Sequence, residues 1–335
     1  MKSYRIAVLP GDGIGPEVIG SAINVLEAAQ CKGCFRLDYA YGEAGSGVIK
    51  KYGTNLPAGT VKILKGARAC LKGPMTTPEE ASAPVSVAVQ IRKMFDLYAN
   101  VRPCKAYPNA GGREGVDLVI VRENTEGLYS GRERKIPGGA VAERIVTKRA
   151  SRKVALFALR LALARKRKIT YVHKANILRM TDGVFSRAVL SVAKAYPQVR
   201  VEGMHVDAAA MQLVKDPGQF DVIVTTNLFG DILSDEAAQV AGGVGLAPSA
   251  NIGTSYGMFE PVHGSAPKYA GKGVANPIAT ILAARMMLDY LGEAKAGKLV
   301  ENAVARALEG GKALTKDLGG NASTGKCAEA ITGLI

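Results

Sequence analysis

The feature that most constrains the fold is a predicted strand that runs directly into a predicted helix. Residues 221–226 (DVIVTT) form a β-branched run typical of a buried strand, and residues 236–240 continue a helical pattern. In open α/β sheets, ligands bind outside the carboxyl ends of such strands. The sequence therefore predicts an α/β fold with a functional site at residues 227–235.

Two carboxylates lie in that stretch. If the helix begins near Gly230, Asp231 and Asp235 project from the same face, and they repel unless a cation lies between them. An Asp at a helix N-terminus can also do no more than compensate the helix dipole, so the pair alone leaves both interpretations open. Its place at a strand end favours a divalent metal, and carboxylate oxygens suit Mg²⁺ or Mn²⁺ better than Zn²⁺.

Length and composition narrow the class of protein. With 335 residues, 47% of them hydrophobic, the chain is long enough for two globular domains. No apolar run approaches the roughly 20 residues that cross a membrane, and the first residues lead directly into a strand, so we predict neither a membrane span nor a signal peptide. Five cysteines, an odd number, fit a reducing compartment, and we expect a cytoplasmic protein.

The formal charge of +15 could indicate a nucleic acid, a membrane surface or an anionic substrate. The densest basic run, residues 165–168, ends an apolar helical stretch, where cations complement the helix C-terminus. The sequence has no Trp and no alternation of basic and aromatic residues of the kind that stacks bases. Nucleic-acid binding is therefore only a minor alternative.

A glycine-rich turn, residues 11–15 (GDGIG), separates the first predicted strand from a helix that Pro16 opens. This order is similar to a dinucleotide-binding fingerprint. The spacing is Gly-x-Gly-x-Gly, however, and the acidic residue expected about 20 positions later has no clear second strand to lie on. We therefore do not predict a Rossmann cofactor site at this turn.

Strand and helix patterns alternate along the chain without an internal repeat or a low-complexity linker. Continuous elements cross between domains near Asn100 and Val240. This predicts a large cofactor-binding domain of residues 1–99 plus 242–335, and a small domain of residues 100–241 with the metal site. Residues 131–152 are polar and hold a Pro-Gly-Gly turn between two short strand patterns, so we expect a projecting arm that pairs with a partner subunit.

Three arginines also occur at predicted strand ends or beside them. The candidate set is Arg92, Arg102, Arg122, Tyr129, Lys174, Asp207, Asp231 and Asp235. One arginine alone is usually a solvated surface residue. Three guanidinium groups suit a substrate with several carboxylates, because each group pairs with one carboxylate through two hydrogen bonds. Here the arginines also accompany aspartates that could hold a cation.

Six motifs together resemble the metal-dependent β-decarboxylating dehydrogenases, the isocitrate, 3-isopropylmalate and homoisocitrate dehydrogenase family. They are GDGIG at 11–15, DLYANVRP at 96–103, VRENTEGLY at 121–129, HKAN at 173–176, NLFGDILSD at 227–235 and EPVHGSAP at 260–267. They span most of the chain in the family's order. The resemblance implies an isopropylmalate/isocitrate dehydrogenase-like two-domain α/β fold, with an active site in the cleft that a homodimer completes.

The resemblance also implies how metal and substrate are held. Asp231 and Asp235 would bind Mg²⁺ or Mn²⁺, together with Asp207 of the partner subunit and the substrate's hydroxyl and α-carboxylate. The arginines that grip the carboxylates common to all the family's substrates would be Arg92, Arg102 and Arg122. A Lewis acid has a chemical use here, because it stabilises the enolate that forms when CO₂ leaves a β-keto acid.

Proton and hydride transfer follow from the same resemblance. Lys174 of the partner subunit would assist removal of the hydroxyl proton, and Tyr129 would protonate the enolate. Asn176 would contact the substrate or the nicotinamide, which accepts hydride from the carbinol carbon. Taken alone, Tyr129 would be interpreted as a packing residue.

The cofactor site implied by the resemblance is not a Rossmann site. Its residues are Thr77, Glu260, His263, Gly264, Ser265, Ala266, Lys268, Tyr269, Asn276 and Asp317. NAD-dependent members usually have an acidic residue where Lys268 stands, whereas a lysine followed by Tyr269 is similar to the NADP type. The NADP pattern would have Tyr in place of Lys316 and Arg in place of Gly320, although Lys316 could still reach a phosphate. We expect NADP, with NAD as the alternative.

The substrate is predicted from two stretches. Residues 71–78 (LKGPMTTP) resemble the isocitrate dehydrogenase branch, and Ser86 stands where that branch has the Ser that meets the γ-carboxylate. The Asn expected two residues later is Ala88, and the three valines of residues 85–89 are apolar enough to cover an isopropyl group. A missing hydrogen bond would cost about 1–3 kcal/mol. We expect NADP-dependent oxidative decarboxylation of isocitrate to 2-oxoglutarate, with 3-isopropylmalate and homoisocitrate as alternatives.

Overall fold

The computed structural model describes residues 2–78, 80 and 83–335. A ten-stranded sheet forms its centre, and a separate pair of strands forms a hairpin. The strands are β1 Lys2–Leu9, β2 Phe35–Tyr41, β3 Ala69–Lys72, β4 Ala99–Lys105, β5 Asp117–Glu123, β6 Glu133–Ile136, β7 Gly139–Ala142, β8 Lys168–His173, β9 Arg200–His205, β10 Val222–Thr225, β11 Pro248–Ile252 and β12 Gly257–Pro261. The helices are α1 Gly15–Gly33, α2 Ile49–Tyr52, α3 Ala58–Lys65, α4 Val87–Met94, α5 Lys148–Leu163, α6 Thr181–Ala193, α7 Val206–Lys215, α8 Asn227–Val240, α9 Ile278–Tyr290, α10 Ala294–Glu309 and α11 Thr324–Thr332.

From edge to edge, the strand order in the sheet is β2-β1-β3-β12-β11-β4-β5-β10-β8-β9. Neighbouring strands are parallel except at β11 and β4, which are antiparallel to each other and to their outer neighbours. Apart from β4, which begins at Ala99, the strands of residues 1–99 and 242–335 lie in one half of the sheet and those of residues 100–241 in the other. The division into two domains stays a prediction.

Side chains alternate between the two faces of the sheet, as the two-residue period of a strand requires. On the first face, Val8 of β1 and Val222 of β10 join one large core with α1, α5, α6, α9, α10 and α11. On the second face, Leu9 joins a smaller core with α3 and α4, and Ile223 joins another with α7 and α8. The first face therefore carries one large hydrophobic core, and the second carries two separate ones.

Helix α8 begins at Asn227, three residues before the start expected near Gly230. Gly230 lies inside the helix, and a Cβ atom at this position would lie 2.6 Å from the Arg122 side chain. The glycine thus allows α8 to approach β5 closely and does not mark a helix start.

The N-terminal glycine turn packs against another loop. Gly13 has a φ of +59°, and a Cβ atom there would lie 2.0 Å from the carbonyl oxygen of Ser265. The Asp12 carboxylate accepts hydrogen bonds from the backbone amides of Ser46 and Thr76. This turn therefore holds neighbouring loops together.

The hairpin predicted within residues 131–152 is present, since β6 pairs antiparallel with β7 and both strands are mostly exposed. Its role as an arm that pairs with a partner subunit stays a prediction. In the part of the chain that the structure describes, no helix combines the length and the apolar character needed to cross a membrane.

Candidate active site

Buried polar side chains lie on the second face of the sheet. In β4 and β5, Val101 and Val121 belong to the large core of the first face, so the next residues, Arg102 and Arg122, point to the second face. Both arginines are buried. Because side chains alternate along a strand, Arg102 and Arg122, both predicted substrate contacts, lie on the face of the sheet that α8 covers.

Asp231 of α8 is the acceptor that joins the arginines. Its carboxylate pairs with Arg122 and, at 3.2 Å, with Arg102. The Tyr129 hydroxyl also donates a hydrogen bond to Asp231. One helical turn later, Asp235 accepts a hydrogen bond from Arg102 at 3.1 Å. The structure thus brings both carboxylates of the predicted metal pair to one cluster of charged groups.

The charges of this cluster influence one another. Burial alone would raise the pKa of Asp231, but Arg122 and Arg102 outweigh burial and hold that pKa below its usual range. Burial raises the pKa of Asp235 in spite of Arg102. For Arg122, burial and the neighbouring Arg92 and Arg102 lower the pKa to about 10. The guanidinium groups therefore repel one another, and anions that bind between them relieve this repulsion.

Tyr129 holds a proton at this cluster. The guanidinium of Arg122 lies 4.8 Å from the centre of the Tyr129 ring. Burial and the hydrogen bond to Asp231 raise the pKa of the Tyr129 hydroxyl, against the effect of Arg122. Tyr129 is therefore protonated at neutral pH and has a proton to donate.

Arg92 reaches the second face from α4 and is also buried. Its Nε donates to Asn251 at 2.9 Å, and a terminal nitrogen lies 3.3 Å from Glu260. Glu260 also accepts a hydrogen bond from Lys72 at 2.7 Å. Burial would raise the pKa of Glu260, but Lys72 and Arg92 outweigh it and lower this pKa to about 2. Glu260, a predicted cofactor residue, is thus an ion-paired carboxylate beside Arg92.

Lys174 and Asp207 form a separate pair at the ends of β8 and β9, with Nζ and carboxylate 2.6 Å apart. The hydrogen bond from Lys174 lowers the pKa of Asp207, whose carboxylate is largely exposed. Asn176 is exposed nearby in sequence. Among the described residues, no three His, Cys, Asp or Glu side chains are close enough to hold a metal ion together. Within one chain, two of the three predicted metal ligands, Asp231 and Asp235, therefore lie in the same cluster, and Asp207 pairs with Lys174 instead.

A cavity of about 610 Å³ contains most of the predicted cofactor residues. Those that line it are His263, Gly264, Ala266, Tyr269, Asn276 and Asp317. Ser265 is buried, with its hydroxyl 2.6 Å from that of Thr76. Thr77 and Lys268 are exposed and, like Glu260, do not line the cavity.

Sequence reasoning missed part of the cavity wall, which also contains Ile14, Val244, Gly245, Val274 and Ala275. Ile14 lies in the GDGIG motif and Ala275 directly precedes Asn276, a predicted cofactor residue, so these neighbours could have indicated them. The other three are small or apolar residues without a recognisable pattern. Lys316, considered as a phosphate contact, does line the cavity.

The structure corrects part of the prediction that residues 85–89 face the substrate. Ser86 is the N-cap residue of α4, and its side chain makes no hydrogen bond to the helix. Val87 is only 3% exposed and packs in the core with α3, because α4 begins there and turns this side chain towards the sheet. The expectation that Val87 covers a substrate is therefore wrong. Val85 is 57% exposed and remains a candidate.

The fold and the site together are those of an α/β enzyme. Its arginine cluster adjoins a pair of carboxylates that suit a divalent metal. The chain belongs to the isocitrate/isopropylmalate dehydrogenase family, whose model matches residues 5–333. It is therefore a decarboxylating dehydrogenase, which confirms the predicted family, fold and enzyme class.

Individual relatives differ in the substrate that their names state. The chain is 51% identical to the isocitrate/homoisocitrate dehydrogenase of Thermus thermophilus, over 98% of each protein. It is 46% identical to the 3-isopropylmalate dehydrogenase of Methanothermobacter thermautotrophicus, over 99% of this chain and 98% of that protein. The crystal structure of isocitrate dehydrogenase from Methylococcus capsulatus matches with a TM-score of 0.94 and 43% identity, over 99% of both chains.

Proposed function

We propose that this enzyme oxidises and decarboxylates isocitrate to 2-oxoglutarate and CO₂, with NADP as the hydride acceptor. The observation that carries the proposal is the group of three buried arginines, Arg92, Arg102 and Arg122, that act together on Asp231. Three guanidinium groups suit the two carboxylates that isocitrate shares with the alternative substrates, and Ser86, the N-cap residue of α4, is proposed to meet the third, the γ-carboxylate. The lowered pKa of Arg122 supports carboxylate binding, because bound anions would stabilise its charged form.

We propose that Asp231 and Asp235 hold Mg²⁺ or Mn²⁺. Their oxygens suit these ions, and the arginine pairs keep Asp231 ionised. The partner subunit's Asp207 is proposed as the third ligand, since the Asp207 carboxylate is exposed on each chain and accessible to another. When bound, the ion would supply Lewis acidity at the substrate oxygens.

Two residues are proposed for proton transfer. The Tyr129 hydroxyl carries its proton at neutral pH and lies beside Asp231, so it is suited to protonate the carbon that CO₂ leaves. Lys174 is proposed to act from the partner subunit on the substrate hydroxyl, arriving together with Asp207, to which it is hydrogen-bonded.

A site shared between two subunits is supported by exposed apolar side chains near these residues. Ile177 and Met180 follow Lys174 in the chain, Met211 lies on α7, and Ile232 lies on α8 between the proposed metal ligands; all four are more than half exposed. Burying them would stabilise an interface. We therefore propose a homodimer with α7, α8 and the arm at its interface.

NADP is proposed because a cation and a phenol both line the cofactor cavity. Lys316 and Tyr269 are these two groups. The carboxylate of Asp317 already accepts hydrogen bonds from Asn276 at 3.0 Å and from Thr315 at 2.6 Å. A 2′-phosphate therefore has partners in the cavity, and the Asp317 carboxylate, which also lines it, is paired with Asn276 and Thr315.

A second candidate substrate is 3-isopropylmalate. The exposed side chain of Val85 adjoins Ser86 and is apolar enough to contact an isopropyl group. The predicted Asn partner for a γ-carboxylate is also absent, because Ala88 stands at its position. Homoisocitrate is supported in turn by the name of the Thermus relative.

Steady-state kinetics tests the proposal. Reduction of NADP and of NAD is measured with isocitrate, 3-isopropylmalate and homoisocitrate, each with Mg²⁺ and with EDTA. We expect the highest kcat/KM for isocitrate with NADP, and no turnover in EDTA. A higher kcat/KM for 3-isopropylmalate would favour the second candidate, and absence of reduction with all three substrates would contradict the proposed function.

A further inference from the structure

A buried asparagine connects the two halves of the arginine cluster. Asn251 lies on β11 with 0% of its surface exposed, and it faces the second side of the sheet because Ala250 packs in the large core. Its Oδ1 accepts three hydrogen bonds, at 2.9 Å from Arg92, 2.8 Å from Asn100 and 3.0 Å from Asn124. An amide oxygen has two lone pairs, so three N–H donors saturate it and at least two of them share one lone pair.

The other end of the same amide donates. Nδ2 of Asn251 gives one hydrogen bond to the carbonyl of Met258 at 3.2 Å and another to Glu260 at 2.9 Å. Glu260 is the carboxylate that also pairs with Arg92 and Lys72. The side chain of Asn251 therefore contacts both members of the Arg92 and Glu260 ion pair, the cation with its oxygen and the anion with its nitrogen.

The contacts continue towards the metal carboxylates. Asn100, which donates to Asn251, accepts a hydrogen bond from Nε of Arg102 at 2.8 Å. Arg102 in turn binds Asp235 and Asp231. Asn251 thus lies in the middle of an unbroken, mostly buried set of hydrogen bonds from Glu260 to Asp235.

We propose that Asn251 is a positioning residue, whose amide fixes the guanidinium of Arg92 for substrate and ties it to Arg102. This inference rests on the proposed function, in which Arg92 binds a substrate carboxylate. The site needs an acceptor and a donor on one side chain. A carboxylate would still accept from Arg92 but would face Glu260 without a proton to donate, and an apolar side chain would remove all five of these hydrogen bonds.

The variant Asn251→Asp tests the proposal, because it keeps the shape and the acceptor and removes the donor. We expect KM for isocitrate to rise by roughly 10- to 100-fold, with KM for NADP changed less than about threefold. Relative to wild type at each pH, the defect should shrink as pH falls from about 8 to about 6. The introduced carboxyl group then gains a proton and donates to Glu260 again.

Two further variants keep the test decisive. Asn251→Leu, checked for folding by its thermal midpoint, should show an equal or larger rise in KM at every pH, because no protonation restores its donor. Thr280→Val is the matched control. Thr280 is also fully buried, on α9 behind the first face, and its hydroxyl has no hydrogen-bond partner in the described structure. This control should leave both KM values unchanged.

Two outcomes overturn the inference. One is an Asn251→Asp enzyme with wild-type KM for isocitrate. The other is a defect that does not vary with pH and affects isocitrate and NADP equally, as a merely structural role would produce. A wild-type enzyme that reduces neither cofactor with any of the three substrates would instead refute the proposed function, so the two failures are distinguishable.

Discussion

The two faces of the central sheet use the same strands for opposite purposes. In β4 and β5, Val101 and Val121 close the large core, while the residues that follow them, Arg102 and Arg122, bind Asp231 on the other side. One set of backbone hydrogen bonds positions both faces. The polar cluster is held rigidly because a packed core lies directly behind it.

The faces also differ in what their side chains contribute to stability. On the first face, burial of apolar side chains stabilises the fold. On the second face, burial and two neighbouring arginines, Arg92 and Arg102, lower the pKa of Arg122 to about 10, so keeping Arg122 charged there costs folding free energy. Substitutions in the large core of the first face should therefore change stability, and substitutions in the arginine and carboxylate cluster of the second face should change activity.

The largest effect is expected at Asp231. Asp231→Asn keeps an acceptor for Tyr129 but removes the charge that binds Arg122 and, by our proposal, the metal ion. We expect kcat/KM to fall by roughly 10²- to 10³-fold, measured as NADP reduction across a Mg²⁺ titration. Asp289→Asn, on α9 of the first face, is the matched control and should stay within about twofold of wild type. Equal losses of kcat/KM in both variants would show that activity does not depend on the second face more than on the first.

Tyr129 should give the next largest effect. Tyr129→Phe keeps the ring against Arg122 and removes only the hydroxyl whose raised pKa keeps it protonated. We expect kcat to fall about 10²-fold with the thermal midpoint unchanged, since general acid catalysis typically contributes this much. If kcat stays within threefold, Tyr129 is not the proton donor and serves only to pack against Arg122.

For Leu159, on the first face, we expect a loss of stability without a loss of activity. It is fully buried on α5 in the large core. Leu159→Ala should lower the free energy of unfolding by about 2–5 kcal/mol, because it removes apolar contacts and leaves a cavity. Urea unfolding measures this loss, and kcat/KM at 25 °C should remain within about twofold of wild type. A large loss of activity without a change in stability would show that the two faces are not separable.

The sequence predicted the position of the site because its clues were local. The run at residues 221–226 indicated a buried strand, and the four-residue spacing of Asp231 and Asp235 placed two carboxylates on one helix face. Period-two alternation then accounts for the arginines of β4 and β5. These features need only neighbouring residues, and the structure brings Asp231 and Asp235 to the same cluster.

The contacts that sequence could not give are those made between distant segments. Lys72 and Glu260 are 188 residues apart, and Arg92 and Asn251 are 159 apart, so no local pattern connects them. Val87 was grouped wrongly with Val85, because Val87 is the first residue of α4 and packs in the core, whereas Val85 precedes the helix and is exposed, and nothing local in residues 85–89 distinguishes the two.

Lys316 provides the smallest predicted effect, and it tests whether position or mere charge decides cofactor choice. Lys316 lines the cavity proposed for the cofactor, whereas Lys268 is exposed and lies outside its lining. Lys316→Ala should raise KM for NADP about 10-fold and leave KM for NAD unchanged, since only NADP carries the 2′-phosphate. Lys268→Ala removes the same charge from the neighbouring loop and serves as the matched control, with less than about twofold change expected. If Lys268→Ala has the larger effect, the exposed loop binds the phosphate, and the family pattern at Lys268 predicts cofactor choice better than the cavity lining does.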